Sequence, residues 1–140
     1  MTLSTYLTFD GQCGPAFDFY KSVFGGDFAV RSTFADGPED MKVRDADKGR
    51  IMHVSLPIGD SVLMGSDTTS DHGGPITKGN NFSVSYSPKT KDEAETVFRK
   101  LSEGGSVTMD LQNTFWGAYF GMCTDKFGIQ WMVNVDTQGN

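Results

Sequence analysis

Four groups of residues in this chain can do chemistry. His53 lies in the run Ile51-Met52-His53-Val54-Ser55-Leu56, whose alternation places His53 and Ser55 on one face of a strand and Val54 and Leu56 on the other. Imidazole titrates near neutrality, so a histidine on a polar strand face serves as hydrogen-bond donor or general base, unless it only bonds a neighbouring strand. Tyr119 is the companion candidate for acid–base work. Phe115-Trp116-Gly117 interrupts two strand-like segments, and such an aromatic pair either stacks on a planar or apolar ligand or fills a core or subunit interface. Tyr6, Asn81, Ser83, Ser85 and Gln112 are candidates for polar lining. Cys13 and Cys123 lie outside any C-x-x-C pattern and read as free thiols; Cys13 sits just ahead of a predicted helix, where the positive end of the dipole would favour a thiolate, but a small residue in a helix-entry turn explains it as well.

The elements that must position these groups come nearly twice. Thr5-Tyr6-Leu7-Thr8-Phe9 leads into a helical stretch ending at Gly25-Gly26, and Asn81-Phe82-Ser83-Val84-Ser85-Tyr86 leads into another ending at Gly104-Gly105. In the first strand Leu7 and Phe9 share one face, Tyr6 and Thr8 the other. Pro15 suits a first helical position, and Ala16, Phe19, Tyr20 and Val23 follow at helical spacing. The second helix is signalled by Thr90 with Glu93 as a capping box and by the stripe Ala94, Val97, Phe98 and Leu101. Further strands are predicted over residues 28–34, 51–56, 61–66, 82–87, 107–111, 118–124 and 130–135, with hairpin turns at Gly59-Asp60 and Phe127-Gly128. The fold class is therefore α+β, two βαβββ modules, each with a mixed sheet, that can face each other and enclose a pocket or cleft. The modules, about residues 1–67 and 80–140, form a single domain joined by a polar linker over 68–79, and residues 35–48 read as a mobile surface loop.

Composition narrows the partners. With 37% hydrophobic and 21% charged residues the 140-residue chain is globular, and its net charge of −6, without a Lys/Arg run, argues against nucleic acid. No apolar run exceeds three residues, and the first basic residue is Lys21, so neither a membrane span nor a secretory leader is expected and the protein reads as cytoplasmic. No G-x-G-x-x-G after a strand, phosphate loop, G-x-S-x-G elbow or paired Glu/His helix motif is present.

The doubled module order, Phe19-Tyr20 before a Gly-ended helix, and Asp125-x-x-Gly128 before the last strand resemble the vicinal-oxygen-chelate superfamily of glyoxalases, bleomycin resistance proteins and dioxygenases. More narrowly, the first strand-to-helix segment, the His53 strand, Asn113-Thr114-Phe115-Trp116-Gly117 and Asp125-Lys126-Phe127-Gly128-Ile129-Gln130-Trp131-Met132 are similar to the PhnB-like branch. The resemblance covers nearly the whole chain. It implies a loop at Phe115-Trp116 near the cleft, a homodimer, and, in metal-dependent members, a divalent ion held from the first and last strands of each module. Those positions fall near Ser4 or Thr5, Met64, Asn81 and Met132. Thioether sulfur is soft and neutral and Ser or Asn oxygens are weak, so no catalytic metal and no cofactor are expected there.

The reading is a metal-independent protein that binds or sequesters a small organic ligand of unknown identity, lined by Tyr6, His53, Met64, Asn81, Ser83, Phe115, Trp116 and Tyr119. The alternatives are a divergent lyase, isomerase or resistance enzyme using His53 and Tyr119 or an atypical metal site, and a structural dimer whose cleft is filled by its own side chains. PhnB-like proteins often carry a demethylubiquinone methyltransferase label, which the missing glycine-rich cofactor loop and doubly wound sheet do not support.

Overall fold

The structure, a computed structural model, describes residues 1–39 and 42–136; Asp40 and Met41, inside the expected loop, and residues 137–140, the end of the expected second module, lie outside the described residues. The chain divides into two compact units, Met1–Thr77 and Lys78–Asn140. The first runs β1 (Thr5–Phe9), α1 (Cys13–Phe24), β2 (Val30–Thr33), β3 (Ile51–Ile58) and β4 (Ser61–Asp67); the second runs β5 (Val84–Tyr86), α2 (Lys91–Ser102), β6 (Ser106–Asn113), β7 (Ala118–Thr124) and β8 (Gln130–Asp136). Each unit is one four-stranded mixed sheet, ordered β1-β4-β3-β2 and β5-β8-β7-β6, in which the first strand pairs parallel with the last. The duplicated βαβββ order expected from the sequence is the observed one.

Within the first unit, register decides which side chains meet the helix. Leu7 pairs with Gly65 and Gly65 with Val54, while Leu63 pairs with Leu56, so these residues share the face on which α1 lies. Phe17 of α1 fits over Gly65, where an added Cβ would stand 2.6 Å from Phe17 Cε1 and 3.0 Å from the Leu7 carbonyl oxygen. Glycine here is a packing requirement, since it lets an aromatic ring approach the sheet backbone. The helix buries Cys13, Gly14, Ala16, Phe17, Tyr20 and Val23. Phe17, rather than the expected Phe19, carries the central contact. The helix also begins earlier than Pro15, with Cys13 as its first residue, and Pro15 is tolerated because first-turn amides need no intrahelical partner.

The missing N-cap side chain of α1 is replaced from a distance. Gln12 makes no side-chain cap, but Asp67, buried at the end of β4, accepts from the Gly11 and Cys13 amides at 2.8 and 2.9 Å through Oδ1 and from the Ile51 amide at 2.9 Å through Oδ2. One carboxylate thus fastens the β1–α1 turn to the start of β3. The second unit follows the sequence more closely. Thr90 Oγ1 accepts from the Glu93 amide at 3.1 Å, and Ala94, Val97, Phe98 and Leu101 are all buried. They pack beside Trp131, Val133 and Val135, and Phe98 lies against Gly121 of β7 as Phe17 lies against Gly65.

The described residues of 35–48 hold more structure than a plain loop. Short 3-10 turns occupy Phe34–Asp36 and Asp45–Asp47, and buried Asp47 is ion-paired with Arg44 at 3.5 Å and Arg50 at 3.3 Å. Arg50 also reaches Asp10 and the Thr68 carbonyl, both at 2.8 Å. At the start of the expected linker, Thr68 and Thr69 are buried, and the Thr68 amide donates to the Phe9 carbonyl at 2.7 Å.

Candidate functional site

The face of the first sheet opposite α1 carries the polar residues of its strands. Alternation puts Tyr6 and Thr8 there from β1, Met64 and Ser66 from β4, and His53 and Ser55 from β3, because their neighbours Leu7, Gly65 and Val54 face the helix. Tyr6, Met64, Ser55 and Val30 stand in one row across the four strands. Tyr6 and His53 meet over this surface: the phenol oxygen is 3.2 Å from His53 Nδ1, and the rings stack with centroids 5.8 Å apart at 23°. When the Tyr6 hydroxyl donates to Nδ1, the imidazole proton resides on Nε2, which is then a donor for a ligand acceptor. Tyr6 is 46% exposed and His53 half-buried, so the pair is a solvent-facing polar centre bordered by the Met64 thioether.

The remaining sequence candidates distribute differently. Tyr119 pairs with Val135 and therefore faces α2; its hydroxyl donates to Glu95 Oε1 at 3.0 Å, and Lys91 Nζ lies 5.1 Å from the ring centroid. The hydrogen bond to Glu95, followed by desolvation, raises the Tyr119 pKa above the ordinary phenol value, which suits a structural tie better than a base. Asn81 and Ser83 precede β5, which begins only at Val84, because the chain before it makes no further ladder pairs with β8. Ser85 and Met132 are directly paired on the face away from α2, and Gln112 is paired with Phe120. Phe115, 97% exposed, and Trp116, 56% exposed, form an edge-on pair at 5.0 Å, and Trp116 meets Phe120 at 6.1 Å. Thus Tyr6, His53 and Met64 come together in one unit, while Phe115 and Trp116 gather with Phe120 in the other.

Cys13 follows the plainer of its two readings, a small residue in a helix-entry turn. It is fully buried, and burial, then the nearby Asp67 charge, pushes its thiol pKa well above the ordinary value, so the helix start does not make it a thiolate. Cys123, also buried, is pushed up to about 11, chiefly by desolvation with Asp125 adding to it. Iodoacetamide at pH 8 is therefore expected to leave both thiols unlabelled in the folded protein and to label both in urea, as counted by mass spectrometry. Labelling of the folded chain at the rate of free cysteine refutes the inert assignment.

Two features escaped the sequence reading. Asp125 Oδ1 accepts from the Phe127 and Ile129 amides at 2.8 and 3.1 Å, and its Oδ2 accepts from the buried Trp131 indole at 2.9 Å. This explains the D-x-F-G-x-x-W spacing physically, with Gly128 at φ 90° completing the turn. A groove of about 630 Å³ is lined in part by Phe34, Pro38, Glu39, Lys42, Arg44 and Asp71, away from Tyr6 and His53. Among the described residues, no group of three or more His, Cys, Asp or Glu gathers as a metal cluster, and no helix is long and apolar enough to cross a membrane.

The family model described as 3-demethylubiquinone-9 3-methyltransferase matches residues 1–134. The chain belongs to this family. The relatives of this PhnB-like family include Protein YjdN of Escherichia coli, 30% identical over 146 residues that cover 99% of this chain and 97% of YjdN. Among solved structures, PA1353 from Pseudomonas aeruginosa is 40% identical with a TM-score of 0.86, covering 97% of this chain and 98% of that one. The PhnB protein from Bacillus cereus is 25% identical with a TM-score of 0.74, covering 96% and 99%. Structures described as glyoxalase-related and as a glyoxalase/bleomycin resistance/dioxygenase family enzyme share the fold, each at a TM-score of 0.62. The PhnB-like chain therefore shares the fold of glyoxalase/bleomycin resistance/dioxygenase proteins, the fold its motifs implied.

Proposed function

We propose that this PhnB-like protein binds a small, planar organic molecule bearing a hydrogen-bond acceptor, without needing a divalent metal, on the sheet face that carries Tyr6 and His53. The observation that supports this most directly is the stacked Tyr6–His53 pair with its 3.2 Å contact, which leaves one imidazole nitrogen to address a ligand while Tyr6 and Met64 offer apolar surface. The positions where superfamily resemblance would put metal ligands are a hydroxyl, two thioethers and an amide, a donor set that suits no divalent transition ion. The methyltransferase name of the family gains no support from this chain's own residues. The Gly11 and Cys13 amides of the β1–α1 turn, the kind a nucleotide-type cofactor turn would present to its ligand, are taken up by Asp67. The same proposal includes the homodimer and the cytoplasmic setting expected from the sequence.

A thermal-shift screen of planar aromatic carbonyl and phenol compounds tests it. A ligand at a hundredfold its Kd stabilises by about 2.7 kcal/mol, a readable shift. His53→Ala is expected to weaken binding of such a hit about tenfold or more while the unliganded melting temperature holds within a few degrees. Tyr6→Phe, which keeps the ring and removes the hydroxyl, is expected to weaken it less. A variant that loses stability but not affinity makes His53 structural and overturns the proposal. The second reading, an enzyme with His53 as acid–base group, is favoured by the same hydroxyl-to-imidazole contact and is distinguished by turnover of the hit that His53→Ala abolishes.

A further inference from the structure

Register in the second sheet brings three methionines into line. Met109 of β6 is paired with Met122 of β7, and Met122 with Met132 of β8. The helix-facing partners on these strands are Cys123 and Trp131, so the methionine row occupies the other face. Directly opposed side chains on neighbouring strands start about 5 Å apart, and methionine, unbranched with three rotatable bonds, has the reach to bring its sulfur over the middle strand. The apolar core beneath α2 is built from Val97, Phe98, Leu101, Trp131 and Val133 and makes no use of the three thioethers. Met109 is 38% exposed, and Met122 and Met132 are half-buried, so solvent reaches all three residues.

We propose that Met109, Met122 and Met132 form a three-thioether site for a soft monovalent cation, Cu(I) or its chemical analogue Ag(I). Neutral, polarisable sulfur binds such ions in preference to Mg, Ca or Zn, which want charged or harder donors. Phe120 lies two residues before Met122 on the same strand face and carries Trp116 against its ring at 6.1 Å, so aromatic surface adjoins the row and attracts a cation. The net charge of −6 favours cation approach. This site lies in the unit that lacks Tyr6 and His53 and does not depend on the ligand reading above.

The test uses the full chain carrying ¹³C-methyl methionine, whose seven methyl resonances are assigned by single Leu variants. One equivalent of Ag(I), in chloride-free buffer, is expected to shift the Met109, Met122 and Met132 methyls together and leave Met52 and Met64 in place. Anaerobic titration of Cu(I) against a chromophoric chelator is expected to show one ion withdrawn per chain. Met122→Leu is expected to lower that affinity at least tenfold with an unchanged melting temperature, and Met109→Leu, on the outer strand, provides the same readout if Met122→Leu folds poorly. The proposal is overturned if Ag(I) leaves these three resonances where they were, if binding tracks the cysteines instead, or if the Leu variants bind Cu(I) as tightly as the parent.

Discussion

Asp67→Ala is expected to destabilise the protein by about 3–5 kcal/mol and to lower its melting temperature by roughly 10 °C or more. The carboxylate is the partner of three amides, those of Gly11, Cys13 and Ile51, at 2.8–2.9 Å, and no side-chain cap at Gln12 stands ready to replace it. Removing it leaves buried or half-buried donors without acceptors, each costing about 1–3 kcal/mol, so the loss exceeds that of an ordinary surface substitution. Asp67→Asn retains one carbonyl oxygen for Gly11 and Cys13 but turns an amide nitrogen toward the Ile51 N–H, so an intermediate loss is expected. Urea and thermal melts followed by circular dichroism measure all three proteins. An alanine variant within 1 kcal/mol of the parent shows that water or a relaxed turn takes over the carboxylate's role.

The counterpart in the second unit is Asp125→Ala, for which a loss of similar size, about 3–5 kcal/mol, is expected. Here the carboxylate joins the Phe127 and Ile129 amides to the indole N–H of Trp131, a fully buried ring at the centre of the α2 core. The variant strands an indole donor in an apolar setting, so Trp131 should become more mobile and more hydrated as well as the fold weaker. Near-UV circular dichroism and the fluorescence of a Trp116→Phe background, in which Trp131 is the sole tryptophan, report this separately from global unfolding. Unchanged fluorescence together with unchanged stability contradicts the assignment of Asp125 as a structural pin.

Much of the frame was legible because its signals are local. Strand alternation sorted Leu7 and Phe9 from Tyr6 and Thr8, and Val54 and Leu56 from His53 and Ser55, and helical spacing picked out Ala94, Val97, Phe98 and Leu101. What eluded the sequence depends on contacts between distant segments. Phe17 replaced Phe19 because a glycine 48 positions along the chain opens room for its ring, and α1 began at Cys13 because a carboxylate from β4 receives its first amides. Tyr119 turned toward α2 because β7 takes its register from β8, which the tyrosine's own neighbourhood does not state. At the candidate site, the nearness of Tyr6 and His53 follows from β1 and β3 flanking β4, whereas their chemical types alone suggested only separate lining residues.

Two of the outer strands, β2 and β6, break step with their neighbours, once at Ser32/Thr33 and twice along Val107 to Gln112. A kinked border exposes its amides and carbonyls out of phase with an incoming extended chain, so it is a poor template for cross-β growth. The irregularities therefore make these two rims poor places for fibril growth to begin.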